Sequence, residues 1–356
     1  MKKTLTLLLG VLLISELLAN VNFSIDYANF QSDNKPYTEF YLSINGSSLG
    51  YAMVKQEGEV ELFQSNIEMT YLIEKGTEVI AFEKFQINTP IYTEAEVNNN
   101  PLDLLDLKRL SFPAGEYTYT VIAKDLVNKS TAEASGKIST LKNSPLSIQL
   151  SDIQLGNNIK PTVTKNQFSK VGYDIVPNVA HNYIRDNSKL SAYFEIYNAN
   201  KSLGDSADYL IDISIRDVVN EKPTGNLRAI KRLKATEITA HIQPFNIEKL
   251  PTGNYEVLVE CKNRNNEVIN SRKVQFFRLN PDLTDLSTVS IEGTFVDSMR
   301  NTALLAEYIK SVRVISQENE KTWADNQLKY AELEFMQRYF LNFWVTRNPV
   351  DPGYQW

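Results

Sequence analysis

The string Gly204-Asp-Ser206-Ala-Asp208 is the closest match in this sequence to the motif around the nucleophile of a serine hydrolase. That motif is Gly-x-Ser-x-Gly at a sharp turn from a strand into a helix. Here Asp208 takes the place of the second glycine, and a strand pattern follows instead of a helix. The sequence therefore predicts a surface loop rather than an activated serine.

The chain has two histidines, His181 and His241. A Ser–His–Asp triad needs a histidine beside a nucleophile and an acid, and a zinc site needs further ligands at suitable spacing. Neither histidine has such neighbours in the sequence, so we expect structural roles for both. Cys261 is the only cysteine. Its position in an apolar strand predicts a small buried residue rather than a reactive thiol.

Carboxylates are numerous, and a glycosidase would need two of them facing each other across a substrate. Asp212, Glu256 and Glu260 alternate with apolar residues along their strands, which predicts that all three face solvent. The sequence contains no phosphate-binding glycine loop, no calcium loop and no Cys-x-x-Cys pair. It thus predicts a protein that is not an enzyme and that binds no cofactor and no metal ion.

A five-residue turn motif occurs twice, as Pro113-Ala-Gly115-Glu-Tyr117 and Pro251-Thr-Gly253-Asn-Tyr255. Each copy opens a strand of alternating residues, Tyr117–Ala123 and Tyr255–Cys261. Proline fixes φ, and glycine tolerates the positive φ that a tight turn can need. We interpret both tyrosines as corner residues whose hydroxyl groups reach the backbone. The repeat predicts two antiparallel, immunoglobulin-like β-sandwiches in tandem, so the chain should be mainly β.

The N-terminus predicts export. Lys2 and Lys3 precede an apolar run, and Ala19 ends a plausible cleavage site, as in a signal peptide. No second long apolar segment follows, so we expect no transmembrane segment after signal removal. The expected location is the periplasm or the cell surface. The net charge of −6 argues against binding to nucleic acid, which requires a basic surface.

Four regions are predicted. They are a signal peptide at 1–19, a first sandwich at 20–145, a second sandwich at 146–281, and a short α-helical segment at 282–356, with a linker at 142–145. A short helical turn is also expected within Leu102–Leu110.

The helical segment carries an aromatic stripe. Apolar residues recur at helical spacing from Leu304 to Val312 and again from Leu328 to Trp344, with Asp325 as the expected N-cap and Pro349 as the end. The stripe predicts either packing within its own domain or docking of a partner. The candidate docking residues are Phe335, Tyr339, Phe343, Trp344 and Arg347. Arg347 is also placed to complement the helix dipole.

Two stretches resemble the GWxTD domain family of exported proteins from Bacteroidota. One is Phe340-Leu-Asn-Phe-Trp344-Val-Thr-Arg347-Asn-Pro349, followed by Asp351-Pro352. The other is Val176-Pro-Asn178 with the strand Tyr193-Phe-Glu195-Ile-Tyr197-Asn198. The Gly-Trp-x-Thr-Asp signature itself is absent. The resemblance implies an exported, sandwich-rich protein and an expectation that this chain is the front portion of a longer one. The resemblance implies no particular enzymatic reaction.

Two hypotheses about function follow. The first is an exported, non-catalytic structural or protein-binding protein of the bacterial envelope, whose sandwiches act as spacers or binding surfaces for another envelope protein. The alternative is an accessory part of an envelope enzyme, or a glycan-binding protein, whose active domain lies beyond residue 356.

Overall fold

The structure is a computed structural model that describes residues 21–33, 35–99, 101–141, 144, 146–184, 187–218, 221–280, 290–316, 328, 332–345, 347–348 and 351–356. Three predictions fall outside these ranges: the signal peptide, the N-cap at Asp325 and the helix end at Pro349. Most of the linker at 142–145 also lies outside them.

The chain is mainly β, as the sequence predicts. The strands of the first half are β1 (Phe23–Ser32), β2 (Lys35–Ile44), β3 (Ala52–Glu57), β4 (Val60–Gln64), β5 (Asn66–Lys75), β6 (Glu78–Asn88), β7 (Tyr92–Thr93), β8 (Leu104–Leu110), β9 (Glu116–Asp125) and β10 (Thr131–Ser139). Those of the second half are β11 (Gln149–Leu150), β12 (Gln154–Pro161), β13 (Ser169–Lys170), β14 (Tyr173–Pro177), β15 (Asn182–Ile184), β16 (Lys189–Tyr197), β17 (Asp208–Asp217), β18 (Pro223–Lys234), β19 (Ile238–Asn246), β20 (Gly253–Lys262) and β21 (Val268–Leu279).

The sequence repeat is also a repeat of sheet topology. One sheet has the order β10-β9-β5-β6, and the other contains β21-β20-β17-β18. The two strands that follow the turn motif, β9 and β20, hold equivalent places: Ala123 pairs with Met69, and Cys261 pairs with Ile211. The strand sets β1-β2-β8 and β12-β16-β19 correspond in the same way. This arrangement is typical of immunoglobulin-like sandwiches.

The second sandwich has one continuous core. Isoleucines of β17 and valines of β20 point inward from one sheet and meet Leu190, Phe194 and Ile196 of β16 from the other. Alternation with period two produces this pattern, because successive side chains of a strand point to opposite faces. Tyr255 donates from its hydroxyl to the carbonyl oxygen of Pro251, 3.1 Å away, which confirms the corner role expected of it.

Two compact units divide the chain. Of the described residues, the first holds those up to Ser24, Leu42–Asp106 and Glu116–Ser139. The second holds Ile25–Tyr41, Leu107–Gly115 and Thr140–Trp356. Parts of β1, β2 and β8 thus belong to the second unit. The domain boundary at residue 145 stays a prediction.

The helices are short, and the longer ones lie near the C-terminus. They are α1 (Glu94–Asn98), α2 (Ala199–Leu203), α3 (Thr302–Ser311), α4 (Leu333–Val345) and α5 (Pro352–Gln355). No helix of the described residues is long and apolar enough to span a membrane. The helical turn expected within Leu102–Leu110 is wrong, because Leu104–Leu110 forms strand β8 beside β2.

Candidate functional site

Helix α4 turns most of its aromatic residues inward. Tyr339, Phe343 and Trp344 are buried, and they pack with Leu305 and Ile309 of α3 in a core within the helical segment. Phe335 is only partly buried. Internal packing was one of the two interpretations of this stripe. Docking through these rings stays a prediction, and it would require that they become uncovered.

Arg347 closes the C-terminal end of α4. Its Nη1 donates to the carbonyl oxygen of Phe343, 2.9 Å away, and its Nη2 donates to that of Ile315, also at 2.9 Å. The guanidinium carbon lies 3.5 Å from the centre of the Phe343 ring. A cation that binds the last carbonyl groups complements the helix dipole, as the sequence predicts.

A groove lies between α4 and the second sandwich, with a volume of 610 Å³. Leu341, Asn342 and Val345 of α4 form one side, and Phe295 lies nearby. The turn that opens β20 forms the other side, through residues 251–255, together with Phe277. A concave, largely apolar surface with a few polar groups is the usual form of a binding site. We call this feature the α4 groove.

The second copy of the turn motif, at 251–255, is therefore a wall of the α4 groove as well as a stabilising corner. Burial, with a smaller contribution from the Asp217 carboxylate, raises the pKa of Tyr255 to about 12. The ring is thus neutral and fixed by its hydrogen bond to Pro251. Sequence reasoning recognised the corner but missed the groove, because its two walls come from positions that are distant in the sequence.

The α4 groove has an acidic rim. Among its lining residues that the structure describes, the charged ones are Asp217 and Asp351. Asp351 is exposed and begins α5, where its Oδ1 accepts a hydrogen bond of 3.1 Å from the Tyr354 amide. Carboxylates beside apolar walls favour a ligand that combines apolar groups with positive charge.

A second feature of the same unit is a closed polar cluster around Lys170, which we call the Lys170 cluster. Its amine donates to Glu39 Oε2 at 2.5 Å and to Gln154 Oε1 at 2.8 Å. The amine also lies 4.1 Å from the centre of the Phe30 ring and 4.7 Å from that of Tyr193. The side chains of Glu39 and Lys170 are only 1% and 8% exposed.

Glu39 is the centre of that cluster. Its Oε1 accepts from Arg109 Nε at 2.8 Å, and its Oε2 accepts from the Tyr41 hydroxyl at 2.7 Å. Burial alone would raise the pKa of Glu39, but its attraction and hydrogen bond to Lys170, with help from Tyr41 and Arg109, lower that pKa below its usual value. Burial lowers the pKa of Lys170, against the opposing effect of Glu39.

The strand Tyr193-Phe-Glu195-Ile-Tyr197 lies beside this cluster. Period two puts its two tyrosines and Glu195 on one face of β16, and both hydroxyls donate to the Glu195 carboxylate. Gln154 pairs with Tyr193 in the neighbouring strand. The alternation of aromatic and acidic residues in this strand was the one pattern in the sequence that pointed to the cluster. No sequence pattern marks Lys170 or Glu39 as members of it.

The serine, the two histidines and the cysteine that were weighed for chemistry do not line the α4 groove. Ser206 lies in a turn with a positive φ of 56°, as a surface loop allows. The His181 Nε2 lies 2.9 Å from Asp26 Oδ2. Burial, reinforced by Lys231, lowers the pKa of His241 to about 4. Burial raises the pKa of Cys261 to about 12, which agrees with the inert thiol expected.

The prediction that Asp212 and Glu256 face solvent is wrong. Asp212 is 4% exposed, because Arg228 and Lys262 lie over it at 2.5 Å and 2.6 Å from its Oδ2. Glu256 is equally buried and pairs with Lys273. Both carboxylates do point to the outer face of the sheet, but long basic side chains from the adjacent strands cover that face. Glu260 is partly exposed and pairs with Lys262.

Comparisons with known proteins give little more. No protein-family model matches the chain, and no curated protein matches its sequence. Among solved structures, red sea bream transglutaminase matches over 73% of this chain, with 6% sequence identity and a TM-score of 0.24, and the chain spans only 31% of that protein. Fibronectin(III)-like modules of Clostridium thermocellum CbhA match over 69% of this chain and 88% of theirs, with 12% identity and a TM-score of 0.19. These similarities carry no argument about function.

Proposed function

We propose that this chain is an exported, non-catalytic binding protein of the bacterial envelope, whose second sandwich and helical segment together dock another envelope protein. The observation that carries the proposal is the α4 groove. It combines apolar walls from Phe277, Phe295 and Leu341 with carboxylates at its rim. The resemblance to the GWxTD domain family belongs to the same proposal.

The occupant that fits the α4 groove best is an extended, apolar segment of a partner protein that carries a lysine or arginine. Apolar side chains would gain by leaving water, and the basic group would approach Asp351 and Asp217 at the rim. A volume of 610 Å³ accommodates a few side chains rather than a whole domain. The partner should therefore insert a short segment, and the attraction should weaken as salt screens the charges.

The charge at the rim can be removed without removing the helix cap. Asparagine caps a helix as well as aspartate does, so Asp351→Asn should preserve α5 while deleting one carboxylate. We expect this variant, purified from its native envelope at low salt, to retain several-fold less partner than the wild type. Glu133→Gln deletes an exposed carboxylate that does not line the α4 groove and serves as the control.

Equal recovery of the same partner by Asp351→Asn, Glu133→Gln and the wild type, at low and at high salt, would contradict the role given to the acidic rim. Recovery of the chain alone, at native abundance, would contradict the binding function itself.

Export is tested separately from binding. The signal peptide at 1–19 predicts that the mature chain begins after Ala19 and leaves the cytoplasm. N-terminal sequencing of the protein from fractionated cells should find Asn20 first. A chain that retains Met1 in the cytoplasmic fraction would remove the envelope from the proposal.

A further inference from the structure

We propose that Lys170 and Gln154 become joined by an intramolecular amide bond, with Glu39 as the group that moves the protons. The bond would link strands β12 and β13 of the second sandwich. This inference concerns the Lys170 cluster and is independent of the binding function proposed for the α4 groove.

The first observation is proximity. The Lys170 amine already donates to the carboxamide oxygen of Gln154 at 2.8 Å. The carboxamide carbon is one covalent bond from that oxygen, so a small movement brings the amine into position for attack. Holding two reactants in a reactive geometry can be equivalent to an effective concentration of about 10⁵–10⁸ M.

The second observation is the position of Glu39. Its carboxylate touches the same amine at 2.5 Å, so a proton can pass to it within the existing hydrogen bond as the amine attacks, against the lowered pKa that Glu39 has in the resting pair. General bases must lie within hydrogen-bond reach of the proton that they take. Arg109 and Tyr41 bind the same carboxylate and fix its orientation.

The third observation is the dry, aromatic surrounding. Phe30, Tyr41 and Tyr193 surround the amine, and each is almost fully buried. A desolvated lysine in an apolar pocket loses its proton more readily and becomes a nucleophile. The leaving nitrogen of Gln154 also has a fixed orientation, because it donates to the carbonyl oxygen of Ile175 at 3.3 Å.

The reaction needs no other reactant. Glu39 takes one proton from the Lys170 ammonium, and the neutral amine forms a bond to the carboxamide carbon of Gln154. Glu39 then gives its proton to the departing nitrogen, the old carbon–nitrogen bond breaks, and the nitrogen leaves as ammonia. The new amide nitrogen loses its extra proton, which leaves with ammonia as ammonium. The products are one amide between two side chains and one ammonium ion, with no change of oxidation state.

A covalent link of this kind suits the composition of the chain. Cys261 is its only cysteine, so the chain cannot close an intrachain disulfide. An amide between side chains would constrain the unfolded chain in the same way that a disulfide does. It would also resist reduction.

The test is the intact mass of the purified, folded full-length chain, followed by a peptide map. We expect a mass lower by one ammonia and a branched peptide in which Gln154 is joined to Lys170. Lys170→Arg and Gln154→Met should each keep their full calculated mass, whereas Lys160→Arg, at an exposed lysine of β12, should still lose ammonia.

The peptide map is needed because an asparagine followed by glycine, such as Asn45, can also lose ammonia by cyclising on its own backbone. A full calculated mass for the folded wild type would overturn the proposal, whatever the variants do. Loss of ammonia without the branched peptide would overturn it as well. Loss of water with a peptide that joins Lys170 to Glu39 would overturn the assignment of Gln154 as acceptor.

Discussion

The α4 groove and the Lys170 cluster lie in the same compact unit and use the same kinds of residue, yet they are suited to opposite tasks. The groove is open, its walls are apolar and its carboxylates lie at the rim. The cluster is closed, and its charges touch one another beneath aromatic rings. Open apolar surface can gain free energy from a partner, whereas groups that already pair can act only on each other. Four predictions test that contrast.

The largest effect should come from the closed cluster. Lys170→Met removes both the ion pair with Glu39 and the amide proposed with Gln154, and it leaves Glu39 with the hydrogen bonds from Arg109 and Tyr41. Removing one partner of a buried ion pair costs about 3–5 kcal/mol of unfolding free energy when the other charge is left unpaired, and we expect the lower end of that range because Arg109 still pairs with Glu39. Denaturant titration of both proteins measures the difference. Lys160→Met, at an exposed site, is the control, with an expected change within about 0.5 kcal/mol. A loss below about 1 kcal/mol for Lys170→Met would mean that the cluster contributes little.

A smaller effect should come from the wall of the α4 groove. Tyr255→Phe deletes the hydroxyl that donates to the Pro251 carbonyl oxygen, and leaves the ring in place. Losing one such hydrogen bond lowers the free energy of unfolding by about 1 kcal/mol. Tyr173→Phe removes an exposed hydroxyl and should change almost nothing. Equal effects at the two positions would show that the corner hydrogen bond is unimportant.

Asp212 offers an intermediate case, because its carboxylate is covered by basic side chains that themselves reach solvent. The hydrogen bonds from Arg228, then those from Lys262, lower its pKa to about 2 despite burial. A lowered folded-state pKa stabilises the protein above the unfolded value, near 4, and this stabilisation is lost as pH falls towards 2. Asp212→Asn should therefore weaken the dependence of the free energy of unfolding on pH between about 4 and 2. The expected change across that window is about 1 kcal/mol, since Arg228 is half exposed and solvent screens its charge. An unchanged acid transition would contradict the assignment.

The smallest effect on stability should be at the rim of the α4 groove. Asp351→Asn keeps the cap of α5, so the free energy of unfolding should change by no more than about 0.5 kcal/mol. Thermal unfolding of the variant beside the wild type checks this. A large loss would mean that Asp351 has a structural role, and any loss of partner binding could then no longer be assigned to charge.

Local sequence patterns predicted the sandwiches. The same patterns gave no correct prediction where a residue's contacts are distant in the sequence. The repeated turn and the alternation after Tyr117 and Tyr255 depend only on neighbouring residues, so both can be recognised in the sequence. The prediction for strand β8 was wrong because its buried residues Leu107 and Leu110 lie three positions apart, as on one face of a helix. Pairing with β2 decides the structure instead. No sequence pattern could join Lys170 to Glu39, since 131 positions separate them.

The burial of Asp212 and Glu256 also depends on residues that are distant in the sequence. Alternation correctly placed Asp212 and Glu256 on the outer face of the sheet, but it could not show that face covered by Arg228 and Lys273 from other strands. The α4 groove was equally invisible, because its walls belong to β20 and to a helix far along the chain.

The most direct test of the proposed binding function is site-specific photo-crosslinking in intact cells. A photoreactive phenylalanine analogue replaces Asn342 in the α4 groove or, as the control, Val163 in a fully exposed loop. We predict one discrete adduct from position 342, weaker in the Asp351→Asn background, and none from position 163. Mass spectrometry should place the attachment in an apolar, basic segment of an envelope protein. No adduct from position 342, or the same adduct from both positions, would contradict the account.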